Sequence, residues 1–185
     1  MKEMKIGIVT TTVRDGRKSL DIAQWVNEVA QKRNDQNVSY EIVDIKDYEL
    51  PIFASNTTQK DVENITKFKE KIASFDGFVF VVAEYNHSPS GVFKNALDYL
   101  MVELNNKAAG YVGYGGVGGA RAIEQLRLIN AEQALATVRK NVNLFLAYDF
   151  VNFTEFKPND YQLAPLNEML DQLLVWAKAL KTTRE

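Results

Sequence analysis

The chain has 185 residues, 46% of them hydrophobic and 25% charged, which is one domain's length with the composition of a soluble globular protein. It has no cysteine and one histidine, His87, which excludes disulfides, thiolate nucleophiles, zinc–thiolate sites and a multi-histidine metal site within one chain. A formal net charge of −2 argues against a nucleic-acid partner, since no basic face is implied.

In chain order, Lys5–Val9 reads as a short strand, and the polar stretch Thr10–Lys18 follows it. Ile22, Val26, Val29 and Ala30 then recur at helical spacing, with Ser19 as the expected N-cap. Tyr40–Ile45 is a second strand, and a loop runs through Leu50–Phe53 to about Lys60. Val62, Ile65 and Ile72 mark a second helix; residues 78–83 form a third strand, apolar on both faces as in parallel sheets. Phe93, Leu97, Leu100 and Leu104 predict a third helix, and Ala109–Tyr114 a strand of small residues. A fourth helix spans Ala122 to about Leu135. Val142–Ala147 is a fifth strand, which Phe150–Phe153 is expected to extend, and Leu166–Ala177 a closing helix.

Five strands alternating with helices argue for a parallel sheet covered on both faces, because parallel strands need helical crossovers. The expected fold is α/β, a flavodoxin-like three-layer sandwich with sheet order 2-1-3-4-5 and a ligand crevice near strands 1 and 3. Residues 1–185 are expected to form a single domain. No segment approaches the ~20 apolar residues of a membrane span. No apolar run follows the charges of Met1–Lys5, so no signal peptide is expected. The protein is read as cytoplasmic, without a membrane partner.

Three loops carry candidate chemistry. Thr10–Ser19 gathers hydroxyls and Arg14 before a helix N-terminus, where free N–H groups and the helix dipole favour a phosphate. Its spacing is not that of a Walker loop. An ordinary solvated loop is the other reading. Glu84–Gly91 ends the most apolar strand; Tyr85 could cover an aromatic ligand and Asn86 offers donor and acceptor. Glu84 and His87 invite a catalytic pairing. With no cysteine and no GxSxG serine to act as nucleophile, an exposed loop histidine is preferred and no catalytic residue is assigned. Lys94 and Asp98 read as a surface ion pair. Gly113, Gly115 and Gly118 match GxGxxG, but in the fourth βα turn and without the downstream acidic residue. Close approach to a flat ring and a plain flexible turn both remain open. Taken together the loops describe a mononucleotide site.

The segments VRDGRKS, EYNHSPSGVFKNALDYL and GGVGGARAIEQLR resemble, in order, motifs of the NADPH-dependent FMN reductase family, with its quinone, azo-compound and chromate reductase relatives. The resemblance implies bound FMN, with Thr12, Arg14 and Ser19 on the phosphate. It places Glu84, Tyr85 and Asn86 along the isoalloxazine, with Gly115 and Gly116 near the ring. It also implies NADPH or NADH as hydride donor, a small-molecule electron acceptor, and a homodimer or homotetramer. Ala83 departs from the family's proline, and Leu20–Asp21 from an asparagine after Ser19. A flavodoxin-type electron carrier without intrinsic NAD(P)H oxidation is the alternative. A receiver-like module is disfavoured, since Thr10–Thr12 supply no acidic cluster after strand 1.

Overall fold

The computed structural model describes residues 3–184. The elements are β1 (Met4–Thr10), α1 (Ser19–Lys32), β2 (Val38–Asp44), a 3-10 turn (Ile45–Tyr48), α2 (Gln59–Ala73), β3 (Gly77–Ala83) and α3 (Gly91–Asp98). There follow β4 (Ala108–Gly115), α4 (Ala120–Glu132), β5 (Ala136–Phe145), the two-residue strands β6 (Phe150–Val151) and β7 (Glu155–Phe156), a 3-10 turn (Asp160–Gln162) and α5 (Leu163–Lys181). The five long strands pair in parallel in the order β2-β1-β3-β4-β5, as expected.

Each face of the sheet has its own core. On one, Ile22, Val26 and Ala30 of α1 and Leu166, Leu170 and Leu173 of α5 pack on Ile6, Ile8, Val79 and Val112. On the other, Phe68 and Ile72 of α2, Phe93 and Leu97 of α3, and Ile123 and Leu126 of α4 cover Val9, Phe78, Phe80 and Tyr111. β3 is buried at all seven positions because both layers close over it. The β-strand carboxyl ends therefore form one edge, where the loops after β1, β3 and β4 meet.

Several boundaries differ from expectation. Ser19 is the first helical residue of α1; the N-cap position is Lys18, and no side chain caps the helix. α3 ends at Asp98, although Leu100 and Leu104 remain buried. The Glu103 carboxylate accepts from the N–H of Met101 (2.8 Å) and Val102 (3.1 Å), offering the backbone a partner other than a further helical turn. β5 starts at Ala136, six residues early, with a register shift opposite Ala109–Tyr111. Phe150–Val151 does not extend β5. It pairs antiparallel with Glu155–Phe156, in a hairpin organised by buried Asp149, whose carboxylate accepts from Phe145 N (2.8 Å), Asn159 N (3.1 Å) and the Gln162 amide (3.1 Å).

Candidate functional site

The loop after β1 starts with three buried threonines, each used differently. Thr10 donates to Asp44 (2.8 Å) and Thr11 to the carbonyl of Val81 (2.7 Å), fixing the loop to its neighbouring strands. Thr12 turns the other way, and its hydroxyl meets that of Ser19 at 2.8 Å. Both groups are essentially inaccessible, at 1% and 0% exposure. They sit at the uncapped start of α1, where the free N–H groups give positive potential. Arg14, in the loop between them, is exposed, and its Nε donates to the Tyr85 hydroxyl at 3.0 Å. Asp21, whose charge would repel an anion here, is exposed and pairs with Lys18 at 3.6 Å.

After β3 the chain makes a two-residue reversal. Tyr85 N donates to Ser88 O (2.9 Å) and Ser88 N to Tyr85 O (3.1 Å). Asn86 and His87 occupy the centre at φ 50° and 67°, the double left-handed conformation of a type I′ turn. Asn86 thus stands at an exposed tip. Ser90 ends the loop: its hydroxyl donates to Thr11 O and accepts from Phe93 N (3.2 Å), capping α3 while tying it to the first loop.

Glu84 faces the third loop. Its side chain is almost wholly buried and is held by the Arg121 N–H (3.2 Å) and guanidinium (Nε, 2.5 Å) at the start of α4. Arg121 Nη1 also lies 2.7 Å from His87 Nε2. Since arginine only donates, the His87 nitrogen is the acceptor in this contact. Arg121 therefore separates the two residues that sequence suggested as a catalytic pair. Three cations that could meet a nucleotide 2′-phosphate are all matched by carboxylates: Arg17 by Asp44, Lys18 by Asp21 and Arg121 by Glu84.

The glycine loop divides in two. A Cβ on Gly113 would lie 2.7 Å from Gly118 O, and one on Gly119, at φ 73°, 2.6 Å from Tyr114 N. These glycines are required by the protein's own close packing, so the turn here is tight and not the flexible one the sequence allowed. Gly116 is different: it is exposed and a Cβ there would meet nothing within 4 Å. Gly115 lies between: a Cβ there would come within 3.3 Å of the Glu84 side chain. Glu84 N is consumed by Tyr114 O (3.1 Å) and Tyr85 N by its turn, whereas the N–H groups of Asn86 and Gly116 meet no acceptor among the described residues.

Beside these loops lies a cavity of about 560 Å³, lined by Thr12, Val13, Arg14, Leu50, Ile52, Tyr85 and the start of α3. Its outer wall is the segment after the first 3-10 turn, held to α3 by Asn95. The Asn95 amide accepts from Phe53 N and donates to Pro51 O, both at 2.8 Å. Tyr114, near the end of β4, is buried beside the first loop. Burial pushes its phenol up to about 12, partly offset by the Thr12 hydroxyl. Among the described residues no helix is long and apolar enough to cross a membrane.

The family model for NADPH-dependent FMN reductases matches residues 4–148. An NAD(P)H-dependent FMN reductase of Saccharomyces cerevisiae is 31% identical, over 98% of this chain and 99% of its own. One from a Nectria species is 33% identical over 66% of this chain, which spans 65% of that relative's length. Other relatives are named NADPH azoreductase, from Bacillus, and 2-hydroxy-1,4-benzoquinone reductase, from Burkholderia. Among solved structures, a flavoenzyme NAD(P)H:(acceptor) oxidoreductase from Paracoccus denitrificans superposes with a TM-score of 0.75 at 16% identity, covering 95% of this chain and 98% of that one.

Proposed function

This chain belongs to the NADPH-dependent FMN reductase family, and on that premise we propose that it binds FMN and, with NADPH or NADH as donor, reduces a small-molecule acceptor. The supporting observation is convergence. A buried hydroxyl pair at a helix N-terminus, an arginine in the loop between its members, and an open glycine with a free N–H lie along one sheet edge. That sequence of chemistries fits a phosphate at one end and a planar ring at the other. When bound, FMN would supply the redox chemistry, between a reduced nicotinamide and a quinone, a free flavin or an azo compound.

The residues supply grip and orientation. Thr12, Ser19 and Arg14 hold the phosphate; Tyr85 covers the ring. The N–H groups of Asn86 and Gly116, with Gly115 beside them, face it closely and favour negative charge on it. Glu84 contributes through Arg121, fixing the second loop to the third. The azo and quinone reductases among the relatives support flat, conjugated acceptors. Exposed Ile52, Met101 and Val102 around α3 support association into a homodimer or homotetramer. The use of a reduced nicotinamide supports a cytoplasmic location, and the two cores shared by elements from β1 to α5 support one domain over 1–185.

The test is spectroscopic. The purified protein should show a flavin absorbance band, or acquire one with added FMN, and NADPH or NADH should bleach it without oxygen. A protein that stays colourless with FMN overturns the reading; a yellow protein that neither nucleotide bleaches leaves a carrier instead.

A further inference from the structure

Four of the five residues from Gly115 to Gly119 are glycines, so this turn has almost no stiffness of its own. It is nonetheless pinned at both ends. The Gly115 carbonyl accepts from Gly118 N and from Leu146 N, both at 3.1 Å, which closes the turn and ties its first residue to the end of β5. Its last residue is held by a side chain of that same strand: Asn143 Nδ2 donates to Gly118 O at 2.8 Å. The seat is close, since a Cβ on Gly118 would lie 2.7 Å from that of Asn143.

Asn143 is itself oriented. Val142 and Leu144 enter the core beneath α1 and α5, so Asn141 and Asn143 face the side of the sheet that α4 covers. There Arg127 of α4 lies over the Tyr111 ring, 5.3 Å from its centroid, and its Nη2 donates to Asn141 Oδ1 at 3.3 Å. Asn141 Nδ2 donates in turn to Asn143 Oδ1 at 2.6 Å. Arginine has no acceptor, so the direction is fixed at every link: each amide presents oxygen towards Arg127 and nitrogen towards the turn. A chain of aligned donors with a charge at its origin therefore ends on the Gly118 carbonyl, and such bonds reinforce one another.

The turn so held carries the Gly116 N–H, which meets no acceptor among the described residues. A donor stabilises charge developing on a ligand when it is already aimed and need not reorganise. A turn hinged on Gly118 and Gly119, at φ 67° and 73°, does not keep such an aim unaided.

We propose that Asn143, oriented by Asn141 and Arg127, is a positioning residue for flavin reduction: by fixing the Gly115–Gly118 turn it keeps the Gly116 N–H aimed at the ring. A reduced nicotinamide gives up two electrons and one proton and is itself oxidised, so the net addition to the flavin is one negative charge. Asn143 thereby favours reduced over oxidised FMN. The inference rests on the FMN reading and extends it to β5, a strand outside the three loops.

Asn143→Leu removes the donor and keeps the bulk. Asn141→Leu leaves Asn143 in place and removes what orients its amide. Oxidised FMN is titrated into each apoprotein by fluorescence quenching, and the midpoint potential of the bound flavin is measured anaerobically against a reference dye. In Asn143→Leu the affinity for reduced FMN should fall about tenfold relative to that for oxidised FMN, or about 30 mV in a two-electron midpoint, with oxidised affinity changed less than about threefold. Asn141→Leu should shift the potential in the same direction by less, and carries the test alone if thermal unfolding shows that Asn143→Leu does not fold. An unchanged potential, or equal losses for both oxidation states, overturns the role of Asn143 alone. Wild-type protein that binds no FMN overturns the reading on which it rests.

Discussion

Arg14 Nε and the Tyr85 hydroxyl meet at 3.0 Å across the mouth of the crevice, joining the loop after β1 to the loop after β3. The contact is exposed, so it contributes little to stability; its value is that it fixes the guanidinium at the mouth of the crevice. Replacing Arg14 with alanine should weaken FMN binding by ~1.5–3 kcal/mol, the contribution of a hydrogen bond to a charged group. Titration of apoprotein with FMN measures this, and an unaltered dissociation constant would remove Arg14 from the site.

The glycine loop yields a paired prediction. Gly119→Ala puts a methyl 2.6 Å from a backbone nitrogen at positive φ, and should lower stability by ~2 kcal/mol or more in urea unfolding. Gly116→Ala has open space and should leave stability within ~0.5 kcal/mol. It should nonetheless weaken FMN binding if the ring approaches this backbone. Equal stability losses in the two variants would contradict the division of the loop.

Glu84 and Arg121 form the bond between the second and third loops. Arg121→Ala leaves an almost buried carboxylate with the residue-121 N–H as its remaining hydrogen-bond donor. The expected loss is ~1–3 kcal/mol, the cost of an under-satisfied buried group, whereas Glu84→Gln keeps an acceptor and should lose less. Denaturant midpoints would rank them; the reverse order would mean that Arg121 is dispensable.

Lys107 gives a pH signature at the far edge of the sheet. Its ammonium is buried against the last carbonyls of α2, Ile72 O (3.2 Å) and Ala73 O (2.8 Å), and burial pushes its pKa down to about 8. Unfolded lysine titrates near ~10.4, so between pH 8 and 10 the unfolded chain binds the extra proton and stability rises with pH. The full effect is of order 3 kcal/mol. Lys107→Met should abolish this rise relative to wild type, as read from unfolding midpoints at pH 7, 8, 9 and 10. Parallel pH profiles for the two proteins would rule it out.

The sheet order and the meeting of three loops were legible because β3 is continuously apolar and its neighbours alternate regularly with helices. The start of β5 was not: Thr137, Arg139 and Lys140 interrupt an edge strand that only one side needs to bury. The end of α3 was hidden because Leu100 and Leu104 keep the helical spacing while the Glu103 carboxylate takes over the backbone. Ser19 looked like a cap since hydroxyls favour that position, yet its oxygen is spent on Thr12. Asn143 and Arg121 act across strands or loops distant in sequence, and no local pattern reports such partners.

The wall of the large cavity hangs from Asn95 by two backbone atoms, Phe53 N and Pro51 O, and by no side chain of its own in those bonds. Residue 52 can therefore be exchanged without loosening the anchor, whereas Phe53 also sets its ring edge-on to Tyr99, with centroids 5.2 Å apart. The strip that closes the cavity hangs on α3, the same helix whose Ser90 is tied to Thr11 O, so a single support sets the position of the cavity wall and of the loop after β1.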